Sequence, residues 1–287
     1  MAGSVATATH GSGNANQSLA SAVTAMSLIS GTGDQARIDH SAPDFAGAVV
    51  HLGALGAVTE LTLAIEPTFE VRQDVYEHLP WDQLTRAFEE VMGAGYSVSA
   101  ITDFAGDDLD MLWVKSRLVD GQPASMPTEL FGATAATVKL HMTRGNDPLH
   151  CTPQLGEPGP WYERLPHFLL EFTPSSGAEI QSEYLIDYQY ASSAINALRG
   201  LGHAIAPLVR GAGIRTVAAD ELWLSSAQLG IPAERLRGPF HLAARRCGRI
   251  RARRRGRGRV AAVPAAAALG QDLRFRPRLC RALSATR

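Results

Sequence analysis

The residue types best suited to chemistry lie together near the start of the chain, in Thr9-His10-Gly11-Ser12-Gly13. Glycines let the backbone approach a ligand closely, and successive N–H groups can hold a phosphate or the polar edge of a ring. The same run is also typical of a surface turn or, because serine lies beside histidine, of a hydrolase loop. The hydrolase interpretation fails on context, because no G-x-S-x-G lies between a strand and a helix. A surface turn and a cofactor loop both remain open.

Two further features could contact a ligand. Gly53 and Gly56 form a second glycine turn ahead of a predicted strand that contains Val58. Because the strand follows the glycines, this turn is not a dinucleotide fingerprint. Arg215 lies at the edge of another predicted strand; such a cation is most often solvated, but it can also be a fixed positive charge beside an anionic ligand. The nine histidines show no H-x-x-H or HExxH spacing, so no metal site is predicted.

The hydrophobic pattern predicts a mixed α+β sheet layered with helices. Alternating apolar residues predict strands at 58–65, 69–76, 97–102, 111–117, 167–172, 179–186 and 215–223. Helical spacing predicts helices at 46–52, 81–92 and 192–205. Residues 18–30 fit a helix or a strand, and residues 120–159, rich in Pro, Gly and Thr, are expected to form a long surface loop.

Charge divides the chain into two segments. Residues 1–235 carry 12 Lys and Arg against 27 Asp and Glu, whereas residues 236–287 carry 15 Arg, no Lys and one Asp. The basic segment would suit phosphate contacts, but its only aromatics are Phe240 and Phe275, so it offers no stacking platform. From the residues alone, a non-catalytic protein with a basic interaction tail is one hypothesis. Periodicity ends after about Ala227, so we expect a disordered tail with no strand.

Three separate cysteines, Cys151, Cys247 and Cys280, match no metal or redox spacing and favour a reducing compartment. No apolar run approaches the ~18–20 residues that a membrane helix needs. The first residues lack the pattern of a signal peptide. We therefore expect a soluble, cytoplasmic protein.

Four longer stretches of the chain resemble one known family. They are SVATATHGSG, FAGAVVHLGALGAVTELTL with FEVRQDVYEHLPWD, GPWYERLPHFLLEFTPSSGAEIQSEYL, and IRTVAADELWLSS. Together they look like the alditol (xylitol) oxidases, and the match covers roughly residues 3–227. These are a branch of the vanillyl-alcohol-oxidase (VAO/PCMH) flavoprotein superfamily, which also holds the aldonolactone oxidases.

The resemblance implies an FAD-dependent oxidoreductase of α+β fold. Residues 1–66 would be the C-terminal half of the FAD-binding domain, 67–227 a mixed-sheet substrate (cap) domain, and the family's first half would precede Met1. The implied reaction oxidises the CH–OH group of xylitol or sorbitol with O2, giving an aldose and H2O2. D-arabinono-1,4-lactone oxidase is the alternative. The resemblance further implies a monomer with no membrane or specific nucleic-acid partner.

The resemblance also assigns site residues. Cofactor contacts would come from Thr9, His10, Gly11, Ser12, Gly13, Gly56 and Val58. Ser12, reaching both cofactor and substrate, and Arg215 would be the catalytic residues. The family has a glutamate two residues before that arginine, where this chain has Gly213, and its His-Phe-Thr-Trp and Trp-Gly-Lys motifs do not occur here. We therefore expect little or no turnover.

The two missing motifs can be recovered from the tail by a change of reading frame. With allowed codons, Gly238–Leu242 read one base later gives Ala-His-Phe-Thr-Trp. Leu269–Pro277 gives a stretch beginning Trp-Gly-Lys in the same way. Our hypothesis is a single frameshift between about Ala227 and Gly238, which would leave 228–287 out of frame. Sequencing the gene tests it, because stop codons throughout the next frame would exclude it.

Overall fold

The structure, a computed structural model, describes residues 1–118, 126–172, 179–228 and 240–247, with the side chains at 179–180 and 240–247 outside that description. The described helices are α1 (Ala2–Ala6), α2 (Phe45–Val49), α3 (Trp81–Arg86), α4 (Phe88–Met92), α5 (Trp161–Arg164), α6 (Ala191–Gly200) and α7 (Gly202–Ile205). Short 3-10 turns lie at Leu19–Ala22, Pro148–His150 and Tyr188–Tyr190. None of these described helices is long and apolar enough to cross a bilayer.

The strands form two antiparallel sheets. They are β1 (Val23–Ile29), β2 (Gln35–Asp39), β3 (Ala57–Leu63), β4 (Glu70–Pro80), β5 (Ser97–Thr102), β6 (Asp108–Arg117), β7 (Glu129–Leu130), β8 (Ala133–Ala135), β9 (Gly159–Pro160), β10 (Glu179–Ile186), β11 (Val209–Thr216) and β12 (Phe240–Cys247). The small sheet has the order β2-β1-β3. The nine-stranded sheet has the order β10-β12-β11-β5-β6-β4-β8-β7, with β9 paired to β4.

The nine-stranded sheet has two chemically different faces, because side chains alternate along each strand. We call one the helix face; it packs on α3, α4 and α6 and includes Val98, Ala100, Leu112, Val114, Ala212 and Ile214. We call the other the cavity face; it includes Ser97, Ser99, Ile101, Trp113, Lys115, Gly213 and Arg215. The helix face therefore forms the main apolar core, and the cavity face is polar over much of its area.

Part of the cavity face is covered by the segment 126–172. Cys151 packs there on Trp113 in a small apolar cluster. Lys115 is fully buried, and its Nζ donates hydrogen bonds to the carbonyl oxygens of Arg164, Leu165 and Pro166 at 2.7–2.8 Å. This ammonium group therefore fixes the end of α5 to β6.

The chain after β11 returns to the small sheet. Gly13 N donates to the Thr216 carbonyl at 2.8 Å, and Ala218 N donates to the Asn16 carbonyl at 2.8 Å. Leu222 then packs in the apolar cluster of the small sheet. The two sheets are thus joined at the loop that contains Ser12.

Two predicted helices are each a pair of shorter helices. The helix expected at 81–92 divides into α3 and α4 at Ala87, whose φ of −117° and ψ of 38° are not helical. The helix expected at 192–205 divides into α6 and α7 at Leu201, with φ −95° and ψ 4°. A break of one residue leaves the apolar residues on the buried side, so spacing alone does not reveal it.

Two predicted strands and the predicted loop also differ from the structure. Residues 167–172 form no strand; Phe168 makes only an isolated bridge with Cys151. The strand expected at 215–223 ends at Thr216, because the following backbone bonds to the chain around Asn16. The segment 120–159 is not simply a surface loop where it is described, because Gln154 is buried and its side-chain amide pairs with both backbone groups of Leu140.

The prediction that the tail contains no strand is wrong for β12. This strand lies between β10 and β11 and pairs with both along its length. Its Ala and Arg residues have low strand propensity, but two flanking strands supply backbone partners on both sides. The remaining tail, 229–239 and 248–287, lies outside the described residues, and the frameshift stays a hypothesis.

Candidate functional site

A cavity of about 610 Å³ lies on the cavity face, between β5, β11 and β10 and the segment 166–172. Its floor includes Ser99, Gly213 and Arg215, and its walls include Glu183 and Phe168. This volume lies in the range of small-molecule sites, about 300–1,000 Å³. The cavity is therefore large enough for a small substrate beside a planar ring.

Arg215 is the buried cation of this cavity. It lies within β11, one residue before the strand ends, and only 20% of its side chain is exposed. Its Nη2 is 3.7 Å from Oε1 of Glu183. Burial lowers the pKa of Arg215, and the nearby Glu183 carboxylate opposes that shift. The usual interpretation of a solvated cation at a strand edge is wrong here, and a fixed positive charge faces the cavity.

Glu183 links that cation to the first glycine loop, which is formed by residues 9–13. Its second carboxylate oxygen is 3.9 Å from Nε2 of His10, whose side chain is 6% exposed. Across the sheet, Glu183 and Gly213 both pair with position 243 of β12. Glu183 was not predicted from its sequence context; the available signal was the polar alternation of Gln181 and Glu183 along β10.

Ser99 is a buried hydroxyl on the floor of the cavity. It is 2% exposed and lies opposite Arg215 in the pairing of β5 with β11. Within the described part of the chain its Oγ has no hydrogen-bond partner. A buried polar group without a partner is costly and rare in folded proteins. Because Ser99 lines the cavity, its hydroxyl is placed to form a hydrogen bond with a molecule bound there.

The first glycine loop meets the cavity face at the start of β5. Ser12 is buried, and its Oγ lies 2.6 Å from Oγ of Ser97, two residues before Ser99 on the same face. Gly13 has a φ of 134°, and a Cβ there would collide with the Asn16 side chain and the Tyr96 carbonyl. Only glycine fits this position. The loop is therefore a structural junction as well as a candidate ligand contact.

Thr9 and Gly11 are the exposed residues of this loop, whereas the His10 side chain is largely buried. Thr9 is exposed, and its hydroxyl lies 3.3 Å from that of Thr7. Gly11 is exposed, with open space where a Cβ would stand. His10 Nδ1 lies 3.0 Å from the Gly11 carbonyl oxygen. Of the loop residues, Ser12 contacts β5 and His10 contacts Glu183, which brings both toward the cavity.

Gly56 and Val58 belong to the small sheet. Gly56 has a φ of 133°, and a Cβ there would collide with the Ile29 carbonyl. Val58 pairs with Leu28 and packs on the apolar cluster between β1 and α2. These contacts do not bring either residue to Arg215. Their role in binding FAD remains a prediction.

The floor of the cavity has the shape that a flat ring requires. An added Cβ at Gly213 would meet no atom of the described residues within 4 Å, and at Gly211 it would meet only ordinary contacts, 3.7 Å at the closest. A glycine-lined strand allows a planar ring to lie close to the backbone. With the Arg215 cation beside it, this floor fits the ring end of a flavin.

Comparison with known proteins agrees with these features. No family model matches the chain. It is 48% identical over 224 residues to an alditol oxidase of Streptomyces sp. (strain IKD472 / FERM P-14339). The aligned region covers 78% of this chain and 52% of that relative. The chain thus spans about half of the relative's length.

The fold also matches a solved structure. Cholesterol oxidase from B. sterolicum superposes with a TM-score of 0.56 and 15% identity, over 85% of this chain and 57% of that one. At this identity the likeness concerns the fold alone. The chain is thus a homologue of an alditol oxidase over 78% of its length, and its α+β fold is similar to that of cholesterol oxidase.

Proposed function

We propose that this chain carries part of the active site of an FAD-dependent oxidoreductase that oxidises the CH–OH group of alditols such as xylitol and sorbitol. The acceptor would be O2, and the products an aldose and H2O2. The observation that carries the proposal is the buried Arg215 cation on the glycine-lined floor of the 610 Å³ cavity. The 48% identity to an alditol oxidase supports the same reaction class.

FAD fits the residues that surround the cavity. His10, Ser12 and Gly13 would hold the ring edge, with Gly56 and Val58 as proposed contacts further along the cofactor. When bound, FAD would supply a two-electron acceptor for the hydride of the alcohol carbon, and that hydride and the released hydroxyl proton would end on O2 as H2O2. Arg215 would stabilise negative charge that develops beside it, because a fixed, desolvated cation needs no reorganisation during the reaction. Ser12, through its hydroxyl, is the second proposed catalytic residue.

The charge balance of the described side chains that line the cavity favours a neutral substrate. Glu183 lies 3.7 Å from Arg215, so the pair has no net charge to attract an anion. A polyol and a sugar lactone both meet that requirement. Gly213 offers no carboxylate to orient a substrate hydroxyl, so we expect little or no turnover by the parent chain. D-arabinono-1,4-lactone is the competing substrate.

The test is peroxide release by the full chain supplied with FAD, using xylitol, sorbitol and D-arabinono-1,4-lactone. We expect the polyols to exceed the lactone. In Gly213→Glu the rate should rise about tenfold or more, because the added carboxylate enters open space and can accept a substrate hydrogen bond. Gly200→Glu, which also enters open space but at the end of α6, is the matched control. Absence of peroxide from every chain would overturn the proposal, and a preference for the lactone would make the protein a lactone oxidase.

A further inference from the structure

Two polar groups of the cavity have no part in the proposed reaction. Ser99 is 2% exposed, lines the cavity, and has no hydrogen-bond partner for its Oγ within the described residues. Glu183 lines the same cavity with 45% of its side chain exposed, and its carboxylate contacts Arg215 and His10. Both groups are therefore placed to meet a ligand.

The sheet fixes how far apart these groups stand. Ser99 lies on β5 and Glu183 on β10, with β11 and β12 between them. Three strand spacings separate their backbones by about 14 Å. One hydroxyl cannot contact both. An extended molecule with several hydroxyl groups can contact both. The Glu183 side chain extends toward Arg215, and the two hydrogen bonds to the ligand account for a further part of the distance between the backbones.

The chemistry of the two groups selects the ligand class. A serine hydroxyl both donates and accepts, a carboxylate accepts, and the guanidinium of Arg215 between them donates. Each hydroxyl of a polyol also both donates and accepts. Among the described side chains, an anion would face the Glu183 carboxylate, whose charge balances that of Arg215. The arrangement therefore matches a neutral, polyhydroxylated molecule.

We propose that Ser99 and Glu183 form a hydroxyl-binding subsite that holds a neutral polyol at two different hydroxyl groups. This proposal rests on the proposed function for the identity of the reaction. It predicts that the polyol binds whether or not turnover follows. In this arrangement Glu183 supplies an acceptor on the side of the cavity where Gly213 has no side chain to offer one.

The experiment is a calorimetric titration of xylitol into the full chain and into Ser99→Ala and Glu183→Gln. We expect the dissociation constant to rise about 3- to 10-fold in each variant, the effect of one lost hydrogen bond. Two substitutions at exposed positions serve as matched controls. Ser193→Ala removes a hydroxyl that donates to the Tyr190 carbonyl, and Glu60→Gln removes the partner of Arg37. Neither control should change the dissociation constant.

Two further measurements separate ligand contact from folding. Ser99→Ala should melt no lower than the parent, because its hydroxyl has no protein partner to lose among the described residues. Glu183→Gln leaves the charge of Arg215 without its partner, so this variant should gain sulfate binding that the parent lacks. A purely structural role for Ser99 would lower the melting temperature and leave the ligand preference unchanged.

The outcomes distinguish the two proposals. Absence of xylitol binding by the parent, or equal binding by all variants, overturns the subsite. Binding that depends on both Ser99 and Glu183 supports the subsite even if no peroxide forms, and the missing peroxide then counts against the oxidase alone. Peroxide release with unchanged affinity in both variants supports the oxidase and rejects the subsite.

Discussion

The two faces of the nine-stranded sheet are built on opposite principles. On the helix face, Val98, Ala100, Leu112 and Val114 are at most 1% exposed and pack against α3, α4 and α6. Burial of apolar surface stabilises this face at about 25 cal/mol per Å². It carries no candidate for catalysis. Its contribution is to hold β5, β6 and β11 in register.

The cavity face carries buried polar groups on the same three strands and on β4. Lys115 is fully buried, which lowers its pKa well below the usual value, and the Arg215 side chain is only 20% exposed. Within the described residues, Ser99 Oγ and both side-chain amide atoms of Gln73 lack partners. Such groups cost stability unless something satisfies them. The contrast teaches that stability and ligand recognition are divided between the faces, so substitutions on each face should affect different measurements.

The largest expected effect is on the helix face. Leu112→Ala should lower the free energy of unfolding by about 3 kcal/mol, because it removes a fully buried side chain and leaves a void. Urea unfolding measures it, with Leu149→Ala as control, since Leu149 is 70% exposed. A loss no greater than the control's would contradict the assignment of the core to this face.

Lys115→Met should have the next largest effect on the free energy of unfolding. The substitution removes the shared donor of three carbonyl oxygens at the end of α5, and relief of the buried charge offsets part of the loss. We expect about 2 kcal/mol of destabilisation and weaker ligand binding, because Pro166 lines the cavity. Lys139→Met, at an exposed position, is the control. If both variants unfold alike, Lys115 does not hold this wall.

Arg215→Met, on the cavity face, should lower ligand affinity more than it lowers stability. We expect xylitol affinity to fall about tenfold while stability changes by less than about 1 kcal/mol, because Glu183 is 45% exposed and water can solvate it. The control is Arg37→Met, which breaks an exposed ion pair with Glu60. Equal affinity in the two variants would remove Arg215 from the site.

The smallest expected effect concerns Cys151 below the cavity face. Burial raises the pKa of this thiol from 9.0 to about 11, so it stays protonated at neutral pH and should react slowly with iodoacetamide. Because the folded state holds this proton more tightly, its contribution to stability is complete below about pH 9 and is lost as the pH rises through 11. Peptide mapping of alkylated chains checks the rate. Fast labelling of the folded chain at neutral pH would contradict the burial of this thiol.

The sequence predicts the helix face better than the cavity face. The predicted bounds of β5 and β10 agree with the structure, because one side of each strand follows an apolar alternation. The breaks at Ala87 and Leu201 were missed, because the apolar spacing continues across them. The strand β12 was missed because its partners, and not its own side chains, define it.

The candidate site was predicted only in part. The resemblance pointed to Ser12 and Arg215, which the structure connects to neighbouring positions, Ser97 and Ser99, on β5. Ser99 and Glu183 were not predicted, because each lies in an ordinary alternating strand. Only the strand order brings them to one cavity, and strand order is not readable from local spacing.

The central claim is that the cavity face oxidises a polyol through FAD. Its most direct test is anaerobic mixing of the FAD-supplied chain with xylitol while the visible flavin absorbance is followed, because a single reduction is detectable even when turnover is slow. We predict a loss of absorbance that is at least about tenfold slower in Arg215→Met and unchanged in Arg37→Met. An absorbance that does not respond to xylitol, or that falls equally fast in Arg215→Met, would contradict the claim.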